Sequence, residues 1–286
     1  MGRMRARDTE HPQAKLDHGG TATILPSEFT SGFELVVDGT PQSHVDLDDA
    51  THLHFEYVAR MGAVIDQLRD GALTAVHLGA GALTLPRYIA ATRPGSRQQV
   101  IEWEAPLAGL VREHLPLPTG AAIRIRIGDA REGVQKLPAA LVGTCDLVVS
   151  DVYSGAQTPA HLTSVEFYRE VAKLLAPGGV LLVNVADGPG LAFARRQVAT
   201  VGHVLPEVAV LADTQVLKGR RFGNLVVAAS AAPLPTEWLP RLLAAGPHPA
   251  KIAQGAELGT FVQGARVVTD ADAVASPRPD ASLFLR

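Results

Sequence analysis

The chain has 286 residues, 47% of them apolar and 19% charged, with a net charge of −3. It can bury one large core, or one domain with a small companion, and its charge leaves no electrostatic footprint for nucleic acid or an anionic membrane surface. No apolar run approaches the roughly 18 residues needed to span a bilayer, no apolar segment follows the basic start MGRMRAR, and the single Cys145 excludes an internal disulfide or a multi-cysteine metal site.

The expected compartment is therefore the cytoplasm. Residues 1–21 are polar, Gly/Pro-punctuated and without period, and read as a disordered tail. Residues 22–48 hold the strand-like runs TATILPSEF, FELVVDG and TPQSHVDL, with Asp38-Gly39 as a hairpin turn, so a small N-terminal β-hairpin element is expected. The remainder, 49–286, reads as one catalytic domain. It opens with DATHLHFEYVARMGAVIDQLRD (49–70), whose apolar residues at 53, 57, 58, 61, 64, 65 and 68 have helical spacing up to Gly71. The apolar runs TAVHL (74–78), QQVIEW (98–103), AAIRIRI (121–127), CDLVVS (145–150) and VLLVNVA (180–186) then alternate with helical patterns. In TSVEFYREVAKLLAPGG, Thr163 and Glu166 have capping-box spacing, and Pro177-Gly178-Gly179 ends the helix. The last two runs, EVAVLAD (207–213) and NLVVAAS (224–230), lack a helix-length connection and are expected to pair antiparallel. The fold class is α/β, a doubly wound and mostly parallel sheet. Beyond Pro233 only WLPRLLAA reads as helical.

In such a sheet ligands bind outside the carboxyl ends of the strands. Gly79 and Gly81 follow the first strand of this series and precede a helix, where the absence of Cβ lets backbone approach a ligand, although a tight structural turn would use the same residues. A dinucleotide fingerprint would have a third glycine at 84, where Thr84 stands. Glu102, 21 residues after Gly81, is placed to accept from vicinal ribose hydroxyls, with Glu104 as a rival at the same strand end. Asp129 in IGDA can accept from an adenine amine or cap the following helix. The set fits a nucleoside, and no lysine-bearing phosphate loop is present. Asp151 ends the apolar run LVVS and can hold and deprotonate a cationic amine, or pair locally. His52 and His54, read as i,i+2 on a helix start, point apart, so no metal site is expected. Arg220 and Arg221 read as hairpin charges, Asp270 and Asp272 as a turn, and Cys145 as a buried thiol.

At these residues the chain resembles the spermidine synthase (polyamine aminopropyltransferase) family, and most closely its divergent spermidine synthase-like members. The resemblance rests on ELVVDGTPQS (34–43), HFEYVARM (54–61), the strand-end series and SDVYSGAQTPAHLTSVEFYREVAKLLAPGGVLLVNVAD (150–187). It implies a class I methyltransferase-like Rossmann domain and decarboxylated S-adenosylmethionine, or S-adenosylmethionine, as co-substrate. By the same resemblance, Gly79, Gly81, Glu102, Asp129 and Ala130 hold the adenosyl group, and Gln42 approaches from the N-terminal element. Asp151 acts at the reacting amine with Tyr153 beside it, and His54 and Ser154 meet a small-molecule amine substrate. A homodimer is also implied. Two positions depart from the family pattern: Ala82 and Ser154 stand where the family carries acids. Three readings follow: aminopropyl transfer with Asp151 as base, methyl transfer from S-adenosylmethionine, or a non-catalytic nucleoside-binding protein.

Overall fold

A computed structural model describes residues 11–154, 157–245 and 247–278. The N-terminal segment forms a four-stranded antiparallel sheet in chain order: β1 (Gln13–Lys15), β2 (Thr21–Pro26), β3 (Gly32–Val37) and β4 (Thr40–Asp46). Asp38 and Gly39 both take positive φ, +48° and +78°, the conformation of the tight hairpin turn that their sequence signals. The sheet begins earlier than the boundary at residue 22. β1 lies in the stretch read as tail and pairs with β2, brought back by a turn that ends at Gly19, φ +101°, and Gly20. Three residues are too few for an alternation to register in sequence. The other tail residues, 1–10, lie outside the described residues.

The main sheet has the order β12-β10-β11-β9-β8-β5-β6-β7. β5 (Thr74–Leu78), β6 (Arg97–Glu102), β7 (Ala122–Ile127), β8 (Cys145–Ser150) and β9 (Leu175–Asp187) run parallel. β10 (Glu207–Ala212) and β11 (Gly223–Ser230) pair antiparallel, as their short connection requires, and β11 inserts antiparallel beside β9. The edge strand β12 (Lys251–Ala253) belongs to the tail read as loop. This is the α/β Rossmann-like architecture that alternating strands and helices imply.

Alternate strand residues face two helix layers. On one side Val76, Val148, Leu181 and Val227 pack with α4 (Ala130–Gln135), α5 (Val165–Ala172), α6 (Ala192–Val204) and α9 (Gly255–Phe261). On the other, Ala75, Leu147, Leu182 and Val226 pack with α1 (Glu56–Asp66), α2 (Thr84–Thr92) and α8 (Leu239–Ala245). The remaining helices are α3 (Ala105–His114), which closes a third core with the N-terminal sheet, and the single turn α7 (Thr214–Leu217). Because parallel strands are buried on both faces, they read in sequence as unbroken apolar runs.

Several local expectations are corrected. α1 starts at Glu56, so residues 49–55 are not helical, and His52 and His54 precede the helix. The cap of α5 is Ser164, whose hydroxyl accepts from the Phe167 N–H; Thr163 is turned to donate to the Ala160 carbonyl. After α9 the chain returns to the domain: Val268 accepts from the Val165 N–H and donates to the Thr200 hydroxyl. Cys145 is buried and its thiol is pushed up to about 11 by that burial, an unreactive state. Among the described residues no helix is long and apolar enough to cross a membrane.

Candidate active site

A cavity of about 480 Å³ lies at the carboxyl ends of β5, β6, β7 and β8, with the N-terminal sheet as its outer wall. Gly79, Gly81, Gln42, Glu102, Asp129, Ala130, Asp151, Tyr153 and Ser154 all border it. Of the residues singled out in sequence, His54 does not. It packs among Phe29, His44 and Phe55, ring centroids 4.8–5.6 Å away.

The glycine turn is compact because two other segments press on it. Gly79 has φ +91°, and a Cβ there would stand 2.2 Å from the Asp151 carbonyl oxygen. Gly81 has φ +48°, and its Cβ would stand 2.3 Å from the Ser43 hydroxyl of β4. Both glycines are thus required by packing as well as by conformation. Ala82, fully buried, donates its N–H to that same Ser43 hydroxyl at 3.2 Å, and it does not border the cavity. Leu83 keeps the left-handed conformation, φ +62°, at the N-cap of α2, a conformation that costs an L-residue about 1–2 kcal/mol. Arg87, buried on α2, donates to the Ala82, Leu115 and Pro116 carbonyls and so ties the turn to the end of α3.

Glu102 and Glu104 have divided their tasks. Glu102 accepts from the Ala80 and Glu104 N–H groups, 2.8 Å each, which fixes its carboxylate against the glycine turn. Burial raises its pKa, opposed by those N–H donors. Glu104 instead anchors the N-terminal sheet, accepting from the Asp17 N–H at 2.8 Å and pairing with the His18 ring. Asp129 does what the plainer sequence reading expected: its Oδ1 caps α4 through the Arg131 and Glu132 N–H groups. Its Oδ2 faces His161 Nε2 at 2.7 Å. Burial pushes this carboxyl up, but the Glu132 N–H and His161 outweigh it and hold it below the usual range. Trp103, more than half exposed, stands at the cavity edge between these acids.

Asp151 is placed by β8, where its N–H donates to the Leu78 carbonyl at 2.9 Å. Asn184 Nδ2 donates to its Oδ1 at 2.8 Å and the Tyr57 hydroxyl to its Oδ2 at 3.2 Å. Burial drives its pKa upward, the two donors only partly opposing, so the carboxylate is a stronger base than an exposed aspartate. Sequence reasoning missed both partners. Tyr57 was counted in the apolar stripe of α1, whereas Asn184 carries a usable signal, a lone amide inside a buried strand. The loop after Asp151 is fastened from afar: the Thr158 N–H donates to the Ser276 hydroxyl, and Arg278 Nε to the Gln157 side chain at 2.7 Å. Arg131 pairs with Asp270 and Arg196 with Asp272, so the acidic C-terminal turn also braces α4 and α6. Among the described residues no three His, Cys, Asp or Glu side chains are grouped to hold a metal ion.

A cleft at the strand ends, closed by an N-terminal sheet and bordered by a buried carboxylate, sits on an α/β Rossmann-like fold. Comparison with known proteins narrows this. The chain matches a probable spermidine synthase from Corynebacterium glutamicum with a TM-score of 0.81 and 31% identity, over 94% of this chain and 98% of that one. The chain belongs to the spermidine synthase family. A probable polyamine aminopropyl transferase from Bifidobacterium longum is 30% identical over 126 residues, and a polyamine aminopropyltransferase from Chromobacterium violaceum 26% identical over 151. The matched stretches span 27% and 56% of those two relatives. The spermidine synthase of Thermotoga maritima, 14% identical with a TM-score of 0.56, shares the fold. No protein-family model matches the chain.

Proposed function

We propose that the protein is a transferase that binds decarboxylated S-adenosylmethionine and moves its aminopropyl group to an amine. The observation that carries this is the charge of the cavity wall. Five carboxylates (Asp38, Glu102, Glu104, Asp129, Asp151) and three histidines border it, and among its described residues there is no lysine or arginine. A donor with a free α-carboxylate would find no permanent counter-cation there, whereas a donor carrying only sulfonium and ammonium charges meets an acidic surround.

In this reading Glu102 accepts from the ribose hydroxyls with its remaining lone pairs. Asp129 and Ala130 border the adenine, Trp103 stands beside it at the cavity edge, and Gln42 reaches in from β4. Asp151 holds the incoming ammonium and takes its proton. The freed nitrogen lone pair forms a bond to the CH2 next to sulfur, the C–S pair returns to sulfur, and methylthioadenosine leaves as a neutral thioether. Such a displacement asks the protein chiefly for alignment and a base of raised pKa.

The test is calorimetric titration with S-adenosylmethionine, its decarboxylated form and methylthioadenosine, together with turnover of Asp151→Asn. Binding of the decarboxylated donor at least tenfold tighter than the intact one is expected. The variant should retain that binding within about threefold and lose on the order of 10²–10⁴ in turnover. Preference for the intact donor would transfer the argument to methylation, and no binding of any of the three would reject a nucleoside site.

A further inference from the structure

Asn184 interrupts an apolar strand. In β9 the run Val180-Leu181-Leu182-Val183 and the pair Val185-Ala186 are buried, and Asn184 between them is 3% exposed. Val180 and Leu182 pack on the α1 side of the sheet, so Asn184, two residues further, stands in the same row, where a leucine would continue the core. Instead the amide Nδ2 donates to Asp151 Oδ1 at 2.8 Å, and the Asn184 Oδ1 is buried with no donor. The orientation follows from chemistry, because an ionised carboxylate offers only acceptors. A buried acceptor left unpaired is destabilising. The bond to Asp151 is the one polar contact of this side chain among the described residues.

Asp151 in turn has few partners. Asn184 holds one oxygen, and Tyr57 of α1 donates to the other at the longer 3.2 Å. The titratable groups near it are Tyr57, Tyr153 on its own loop, and His77 on the neighbouring β5. Burial and the Asp151 charge keep both tyrosines protonated. His77 bonds to Gln98 and stays neutral down to about pH 4. The cavity wall supplies no lysine or arginine among the described residues. A buried carboxylate without a counter-cation stays ionised only as far as its hydrogen-bond donors replace the lost hydration. Of the two donors, the shorter bond is that of Asn184.

Resting on the transferase reading above, we propose that Asn184 is a positioning residue for the transfer: its amide, present despite an unpartnered buried carbonyl, holds the Asp151 carboxylate ionised and in one orientation for the incoming ammonium. Asn184 does not border the cavity, so it acts through Asp151 and not on the substrate. Without the amide the carboxylate takes up its proton at higher pH, and fewer molecules have a base to offer.

The experiment titrates the Asp151 carboxyl carbon by NMR in the wild type, Asn184→Leu and Asn184→Ser. It also follows kcat/KM against pH through methylthioadenosine release from decarboxylated S-adenosylmethionine with 1,4-diaminobutane. Leucine removes the donor and serine shortens it out of reach. In both variants the Asp151 titration and the ascending limb of the rate profile are expected to move up together by about one pH unit, the effect of one hydrogen bond to a carboxylate. On that limb turnover falls about tenfold, and on the high-pH plateau it returns to within about threefold of the wild type. The acceptor's own titration is common to the three proteins and cancels. A lowered plateau with an unmoved limb is the mark of a packing role and would overturn the inference, as would an unmoved Asp151 titration. Wild-type protein that binds the donor but turns over no amine would reject the transferase reading alone, because the Asp151 titration still decides whether Asn184 holds the carboxylate. The serine variant decides the matter if the leucine variant does not fold.

Discussion

His77 provides a quantitative test of how the sheet is built. Its ring sits inside β5, 2% exposed, with Nε2 on the Gln98 side chain at 2.9 Å. Burial lowers its pKa from 6.5 to about 4, the bond to Gln98 only partly opposing. As pH falls below about 6.5, the unfolded chain takes up a proton that the folded protein refuses until about 4, so stability is lost across that window. Between pH 7 and about pH 4.5 the loss from this one ring is about 2 kcal/mol. Asp151 and Glu102 act in the opposite sense, because their raised pKa values make the folded state the better proton acceptor. The net pH dependence is therefore uninformative, and a difference is needed. His77→Gln keeps a partner for Gln98 and cannot titrate. Urea unfolding of both proteins at the two pH values should show the wild type losing about 2 kcal/mol more than the variant. Equal losses would refute the claim that His77 is held neutral by burial.

Two further substitutions probe the site's frame. Gly79→Ala places a Cβ 2.2 Å from the Asp151 carbonyl at φ +91° and should cost about 3 kcal/mol or more with loss of nucleoside binding. Gly109→Ala, in α3 with nothing within 4 Å, should stabilise by about 0.5–1 kcal/mol, and thermal melts of the pair check both signs. Glu104→Ala leaves the Asp17 N–H and the His18 ring without their partner, at about 1–3 kcal/mol, and should accelerate amide hydrogen exchange in β1 and β2. Unchanged exchange there would mean that Glu104 does not anchor the N-terminal sheet.

The strand-end residues could be located in sequence because each closes an apolar run long enough to read, and parallel strands buried on both faces supply such runs. What escaped were relations across distance. The choice between Glu102 and Glu104 turns on Asp17 and His18, which lie in a stretch too polar and too short in period to show as structure. Tyr57 fits the apolar stripe of α1, so its hydroxyl bond to Asp151, 94 residues away, leaves no local trace. The fastening of the loop after Asp151 by Ser276 and Arg278 is likewise invisible to pattern, since each is one polar residue in an aperiodic tail. His54 precedes α1, which begins at Glu56, and is not among the residues that border the cavity.

Ser43 lies where the two sheets touch the glycine turn, its hydroxyl occupying the space a Cβ on Gly81 would need while accepting from the Ala82 N–H. The N-terminal sheet is thus a structural partner of the turn and not a detachable cover. Swinging it outward to admit a ligand would strip the turn of a hydrogen bond as well as expose it. An N-terminal sheet transplanted from a relative would support the turn only if it brought a small hydroxyl side chain to that point. Gly81 and Ser43, 38 positions apart in the chain, are therefore coupled through this one contact.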